Sequence, residues 1–211
     1  GGGLPVGGGG GLPVGGGGLP PGGGGGLPPG GGPGTINLAR NPAVPNDHLE
    51  HAWPWPVKIK WREATLAGKT TFSTIINGHN NGATREEIEE NGRNQGAFHG
   101  KSAWWYLEWP EGYPNVKVHN LTATTKGSTF DTTLGVMGVA KGTNPYGRIH
   151  SSWFFWNNNA VGGGGAFSEV KVPNDRYELE PGDRIYFMVD GVGASSGKIR
   201  LDVKFTAIPN P

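Results

Sequence analysis

The sequence contains no cysteine, so neither disulfide bonds nor thiolate metal sites can contribute to its fold or chemistry. It has no run of about 18 apolar residues, which excludes a membrane-spanning helix at the level of sequence. Basic and acidic residues nearly balance, at 18 and 17, for a formal net charge of +1. Because nucleic acid binding needs a clustered basic footprint, we expect no nucleic acid partner.

The spacing motifs of metalloenzymes are also missing. The six histidines are scattered through the chain, at His48, His51, His79, His99, His119 and His150, with no HExxH pair among them. His48 and His51 lie only three residues apart, but Pro54 and Pro56 argue against a helix that would present them together. Solvated loop histidines are the favoured interpretation, and we expect no metal site and no cofactor.

Three other patterns have a plain interpretation beside a catalytic one. Ser102 follows Gly100 and Lys101 but lacks the second glycine of a nucleophile elbow. The acidic cluster at residues 86–90 could supply a glycosidase carboxylate pair, although a solvated helical turn is favoured because its like charges point several ways. The glycine run at residues 162–165 is not followed by the Gly-Lys-Ser/Thr of a phosphate loop. The chain is therefore predicted not to be an enzyme, with no catalytic residues.

What the sequence does have is an unusual N-terminal stretch, residues 1–34, which we call the arm. The arm contains 21 glycines, seven prolines, four leucines and two valines, and no charged residue. It begins at glycine rather than methionine, as expected of a processed chain or a fragment. Leu-Pro steps recur at positions 4, 12, 19 and 27, so the repeat is not the glycine triplet of collagen. Composition alone favours a flexible tail, because glycine is costly to order.

The length of the arm favours a second interpretation, in which it is an assembly element. An extended arm of 34 residues would reach about 105 Å, whereas a compact body of residues 35–211 is roughly 40 Å across. The apolar steps would then lie about 22–25 Å apart. They comprise Leu4, Pro5, Val6, Leu12, Pro13, Val14, Leu19, Pro20, Pro21, Leu27, Pro28 and Pro29. The arm lacks the alternation of a donor strand, so groove binding or glycine-rich bundling between copies fits better.

Residues 35–211 have the pattern of one β domain. Apolar residues alternate with polar ones in several short runs, which predict strands around Val57–Trp61, Trp105–Trp109, Val116–Val118, Ile185–Val189 and Ile199–Phe205. The run of four aromatic residues at 153–156 has no polar face and is predicted to be a central strand. Only residues 84–90 favour a helix. The fold class predicted is all-β, as a jelly-roll-like antiparallel β-sandwich preceded by the extended arm.

Glycine-containing pairs between these runs predict the turns. They are Asn77-Gly78, Asn81-Gly82, Asn91-Gly92, Pro181-Gly182-Asp183 and Asp190-Gly191, the last of which is predicted to start the final hairpin. In GSTFDTTL, residues 127–134, Phe130 and Leu134 are expected to enter the core.

Several longer motifs resemble a known family. The segments GATREEIEE, GKSAWWYLEWP, GSTFDTTLGVM and DRIYFMVDGVGASSGKIRLDVKF occur in an order similar to that of the pre-peptidase C-terminal-like β-sandwich domains of bacterial secreted and surface proteins. The similarity covers roughly residues 45–206. It implies a jelly-roll-like sandwich, extracellular or cell-surface placement, and an accessory or adhesive role. At residues 157–159 the chain has three asparagines where such domains often carry carboxylates, which weakens any calcium site there.

Three exposed contacts are also predicted. Trp53 and Trp55 are each flanked by proline, so they do not fit a regular central strand and are expected at a surface. They could form a glycan platform, contact another subunit, or cover an open end of the sandwich. Asn120 begins the sequon Asn-Leu-Thr and is a glycosylation candidate.

Together these patterns predict a structural subunit of an extracellular filament or surface assembly. Its partners would be copies of itself in a head-to-tail homopolymer, with glycans as a further possibility. The alternative is a secreted carbohydrate-binding or adhesive module in which the arm is a spacer.

Overall fold

A computed structural model describes residues 44–54, 68–84, 100–144, 154–158 and 165–210. These residues form strands β1 (Trp53–Pro54), β2 (Thr70–His79), β3 (Ala103–Glu108), β4 (Val116–Thr124), β5 (Thr132–Val139), β6 (Phe154–Asn157), β7 (Glu169–Lys171), β8 (Tyr177–Leu179), β9 (Arg184–Gly191) and β10 (Lys198–Pro209). Two 3-10 turns, Leu49–His51 and Val192–Ala194, are the helical elements of this part of the chain. The predicted all-β class is confirmed.

The strands form two sheets. Sheet A has the order β1-β3-β9-β5-β6, and sheet B has the order β2-β10-β4-β7, with β8 pairing along the same edge of β4 as β7. The pairs are antiparallel except β1–β3. No helix in the described ranges is long and apolar enough to cross a membrane. The predicted strand at residues 57–61, the helical turn at 85–90, the turn at 91–92 and the whole arm lie outside the described residues.

The core lies between the sheets and follows the predicted alternation. Trp105 and Leu107 on β3 and Phe187 on β9 are almost completely buried on the inner face of sheet A. Leu201 and Phe205 on β10 meet them from sheet B with no exposed surface. The core cluster also contains the side chains predicted from the GSTFDTTL segment, Phe130 and Leu134. Period-two patterning therefore identifies the inward faces of β3, β4, β9 and β10 correctly.

The outer face of sheet A is covered as well. Trp104 and Met188 on this face are buried beneath Leu49, which belongs to the segment of residues 44–52. Asn46 anchors that segment, because its side-chain Nδ2 donates to the Trp104 carbonyl at 3.0 Å and its own carbonyl accepts from the Trp104 N–H at 2.9 Å. Sheet A is thus buried on both faces over its centre, which leaves its ends as accessible surface.

The turn predicted at Asn77-Gly78 is wrong, because both residues lie inside β2 and pair with β10. A Cβ atom on Gly78 would lie 2.8 Å from Cζ2 of Trp105, so glycine is needed here for the close approach of a buried indole. The turns at Asn81-Gly82 and Pro181-Gly182 are confirmed, with φ angles of 86° and 89° at their glycines.

Two further predictions about strand order are wrong. The aromatic run does not form a central strand of the described sheet: residues 154–157 are strand β6, which lies at the end of the described strand order, and Trp156 is 36% exposed. Trp153 lies outside the described residues. Asp190-Gly191 does not start a hairpin, because β9 belongs to sheet A and β10 to sheet B. The connection instead crosses between sheets through the 3-10 turn Val192–Ala194, in which Gly193 has a φ of 60°.

Candidate functional site

A groove with both polar and apolar lining lies on the outer face of sheet A, next to Leu49 of the segment of residues 44–52. The antiparallel register places Tyr106 opposite Tyr186 and Glu108 opposite Arg184. These positions alternate with Leu107 and the other core residues, so the strand geometry directs them away from the core. Glu108, Arg184 and Tyr186 line the groove, and Tyr106 lies next to them, against the guanidinium of Arg184.

Arg184 is the central residue of this group. Its Nε and Nη2 atoms each lie 2.7 Å from Oε2 of Glu108, and its Nη1 donates to the Tyr186 hydroxyl at 3.3 Å. The guanidinium carbon lies 4.5 Å from the centre of the Tyr106 ring, a cation–π contact. Partial burial lowers the pKa of Arg184 because it disfavours the charged guanidinium. The hydrogen bonds to Tyr186 and Glu108 together have a larger opposite effect, so the pKa of Arg184 is raised. Arg184 therefore remains a fixed cation.

The loop after β5 supplies the opposite wall. Lys141 Nζ lies 2.5 Å from Oε1 of Glu111, and this hydrogen bond raises the pKa of Lys141. The backbone of the loop is held by Asp183, whose Oδ1 accepts from the Lys141 N–H at 2.8 Å and whose Oδ2 accepts from the Glu180 N–H at 2.9 Å. Asp183 is 9% exposed, so it acts as an internal anchor for the wall.

The groove has a volume of about 610 Å³, which falls within the usual range of small-molecule sites. Two cation–carboxylate pairs line it, and each of the four charged side chains is between 42% and 66% exposed. Donors and acceptors are therefore interspersed with no excess of either charge. Such a surface matches a neutral ligand rich in hydroxyl groups better than a charged one. Among the described residues, no group of three or more histidine, aspartate or glutamate side chains is placed to hold a metal ion.

The residues predicted from the sequence lie elsewhere. Trp53 is on edge strand β1, opposite Trp105 of β3, and is 40% exposed. Asn120 is exposed in β4, in a left-handed conformation with φ of 52°, and its N–H donates to Oδ1 of Asn174 at 2.7 Å. Trp55 and the twelve apolar residues of the arm lie outside the described residues. Their predicted contacts stay predictions.

The prediction that no helix brings His48 and His51 together is wrong. His51 ends the 3-10 turn Leu49–His51 and His48 immediately precedes it, so a short helical turn does form despite the prolines that follow. It brings the two imidazole rings together edge to face, with centroids 5.9 Å apart. The 3-10 turn ends at His51, three residues before Pro54, so the proline lies outside the turn and does not disrupt its hydrogen bonds.

The groove residues were missed by the sequence analysis, although a signal for them exists. Tyr106 and Glu108 occupy the polar positions that alternate with the predicted core face of β3, and Arg184 and Tyr186 do the same on β9. Both outward faces carry a tyrosine and a charged residue, which is the pattern expected of facing strands at a surface site.

No protein-family model, curated protein or solved structure matches the chain. The resemblance to the pre-peptidase C-terminal-like domains therefore stays a prediction.

Proposed function

We propose that this chain is a structural subunit of an extracellular bacterial filament or surface assembly, which polymerises head-to-tail through the arm. The observation that carries the proposal is the arm itself: 34 uncharged residues with apolar steps at 4, 12, 19 and 27. The body meanwhile builds a two-sheet core from its own strands. We infer that the apolar steps of the arm serve contacts with other copies.

The body belongs, in this proposal, to the jelly-roll-like sandwiches of the pre-peptidase C-terminal type. The two sheets and the order of the sequence motifs support this assignment. Extracellular or cell-surface placement follows from the same resemblance. The body acts as the carrier of the arm and has no catalytic role.

Head-to-tail contact would give a use to an arm of 34 residues. A heterologous contact, in which one surface binds a different surface on the next copy, does not close and so generates a filament. An extended arm of about 105 Å would span more than one neighbour of roughly 40 Å. Regularly spaced Leu-Pro steps would then contact each neighbour more than once.

The test keeps the arm length and removes only its apolar steps. We expect that replacing Leu4, Leu12, Leu19 and Leu27 with serine in the full chain abolishes fibres in negative-stain microscopy. The body should remain folded, with unchanged far-UV circular dichroism and a cooperative thermal transition. Deletion of residues 1–34 should have the same outcome. Fibres formed equally well by either variant would contradict the proposal.

The groove supports a second candidate function, a secreted carbohydrate-binding or adhesive module with the arm as spacer. In this case the chain is monomeric by light scattering and binds a neutral glycan. We expect Arg184→Ala to weaken that binding at least tenfold, because the groove loses a charged hydrogen-bond donor. A tenfold weaker affinity corresponds to a loss of about 1.4 kcal/mol of binding free energy. Trp53→Ala, on another edge of sheet A, should leave it within twofold. Loss of binding with Trp53→Ala alone would place the glycan on the edge tryptophan instead.

A further inference from the structure

Among the strands that the structure describes, β2 is an edge strand of sheet B. It is ten residues long and, among the described strands, pairs on one side only, with β10. The pairing runs from Thr70 to His79 without a register shift, so the edge contains no bulge. Its sequence, TTFSTIINGH, contains no proline, lysine, arginine, aspartate or glutamate. Long, regular and uncharged edge strands are templates for pairing with another chain.

The other described edges carry the features that block such pairing. Strand β1 has two residues, one of which is Pro54. Strand β6 has four residues. Strands β7 and β8 have three residues each and present the charged side chains Glu169, Lys171 and Glu178. Short length, proline and charge are the usual protections of a sheet edge, and β2 is the described edge strand without any of them.

The ladder with β10 shows which backbone groups of β2 point away from β10. The Asn80 N–H donates to the Gly197 carbonyl at 3.3 Å, one step beyond the pair His79–Lys198. In an antiparallel ladder, hydrogen-bonded pairs recur at every second residue, so the even-numbered residues of β2 face β10. The odd-numbered residues therefore direct their N–H and C=O groups to the side away from β10, where no described strand pairs: Thr71, Ser73, Ile75, Asn77 and His79. All five are exposed, and Ile75 is 43% exposed.

We propose that β2 pairs antiparallel with β2 of a second copy, about a two-fold axis at Ile75. Ile75 then lies opposite Ile75 of the second copy, and Ser73 lies opposite its Asn77. Each hydrogen-bonded pair exchanges two bonds, so the five outward residues form about ten new backbone hydrogen bonds. Sheet B becomes one continuous sheet across both copies.

The charges of β2 are compatible with pairing against a second copy of the same strand. No like charges face each other across the axis, because β2 has no lysine, arginine or carboxylate. The charged residues of the outer face lie one strand further in, where Asp202 is opposite Ile75 and Lys204 is opposite Ser73. An isologous contact between identical strands satisfies both edges at once and closes at two copies.

This dimer does not rest on the proposed function. It uses β2 and closes, whereas the arm makes an open head-to-tail contact. The two contacts can also operate together, in which case each filament would consist of paired copies.

The absence of native cysteine gives a direct test. In a hydrogen-bonded antiparallel pair the Cα atoms lie about 5.5 Å apart, which a disulfide can bridge. Under mild oxidation, Ile75→Cys should give a covalently linked dimer in high yield. Lys204→Cys is the matched control on the same exposed face of β10. Three strand spacings separate the two copies of β10, about 14 Å, so this control should not cross-link.

A proline pair tests the hydrogen bonds. Ser73→Pro removes an N–H on the side away from β10, so it should raise the dissociation constant at least tenfold in sedimentation equilibrium while the monomer stays folded. Thr74→Pro removes an N–H from the ladder with β10 and should instead destabilise the monomer. The serine-substituted arm variant should still dimerise.

Three results would overturn the dimer. The first is a wild-type chain that remains monomeric at millimolar concentration. The second is cross-linking of Lys204→Cys with none for Ile75→Cys, which would indicate stacking of faces. The third is an unchanged dissociation constant for a folded Ser73→Pro. If Ser73→Pro does not fold, the cross-linking results of Ile75→Cys and Lys204→Cys test the dimer instead.

Discussion

Replacement of Asp190 by alanine is expected to lower the free energy of unfolding by about 3–5 kcal/mol. Asp190 is completely buried at the end of β9. Its carboxylate accepts hydrogen bonds from the backbone N–H groups of Gly100 at 3.2 Å, Lys101 at 2.8 Å and Gly191 at 2.6 Å. Alanine would leave the buried Gly191 N–H and the part-buried Gly100 and Lys101 N–H groups without their acceptor. The loss of an acceptor from a buried donor costs about 1–3 kcal/mol.

Urea unfolding monitored by tryptophan fluorescence measures this effect. The matched control is Asp202→Ala, which removes a half-buried carboxylate from the outer face of β10. Substitutions at such surface positions usually change stability by no more than about 0.5 kcal/mol. Equal losses in the two variants would show that Asp190 is not an anchor of the loop that leads into β3.

Gly138→Ala is expected to destabilise the body by about 3 kcal/mol, at the upper end of ordinary overpacking. A Cβ atom at this position would overlap the ring of Tyr177, with Cδ1 only 2.5 Å away. The ring cannot move aside easily, because Tyr177 is 3% exposed and packs edge to face against Phe155. Burial raises the pKa of the Tyr177 hydroxyl. A backbone hydrogen bond with Gly138 lowers this pKa, but by less than burial raises it.

A double-mutant cycle isolates this contact. In a Tyr177→Leu background the smaller side chain leaves room for a methyl group, so Gly138→Ala should cost less than about 1 kcal/mol. The difference between the two backgrounds is the coupling energy of the pair, obtained from urea unfolding of all four proteins. A coupling energy near zero would mean that the loss arises from backbone conformation rather than from the ring.

The inward faces of the strands could be predicted from sequence because alternation is a local property. A few alternating residues are enough to indicate the buried face of a strand. This holds for Trp105 and Leu107 on β3 and for Leu201 and Phe205 on β10. The missed strand β2 shows the limit of this reasoning. Its Asn77-Gly78 pair has the composition of a turn, but Gly78 is present because an indole from the other sheet approaches it. That requirement comes from a residue 27 positions away.

Strand order was also beyond local patterns. An apolar run such as Phe154–Trp156 is equally compatible with a central strand and with an edge strand closed by other contacts. In the structure, Asn157 at the end of β6 donates from Nδ2 to the Glu169 carbonyl at 3.0 Å, which links the edge of sheet A to β7 of sheet B. The connection from β9 to β10 crosses between the sheets and could not be predicted either. Which strands pair depends on how all the elements pack together, and not on the residues within one strand.

The candidate groove depends on register between strands distant in sequence. Glu108 and Arg184 are 76 residues apart, and only the pairing of β3 with β9 brings them together. The sequence indicates that each points outward from its strand. It does not indicate that the two strands are neighbours, and so the ion pair could not be predicted.

The exposed, left-handed Asn120 on β4 has a consequence for how copies could meet. Asn120 lies on β4, and the order β2-β10-β4 places it two strands from β2. A glycan attached to the sequon in a host that glycosylates would stand as a bulky, hydrated shield over the outer face of sheet B. Stacking of this face on another copy would then be sterically blocked, whereas lateral growth at β2 would remain open. Modification would thus select the direction of association without altering the strand that associates.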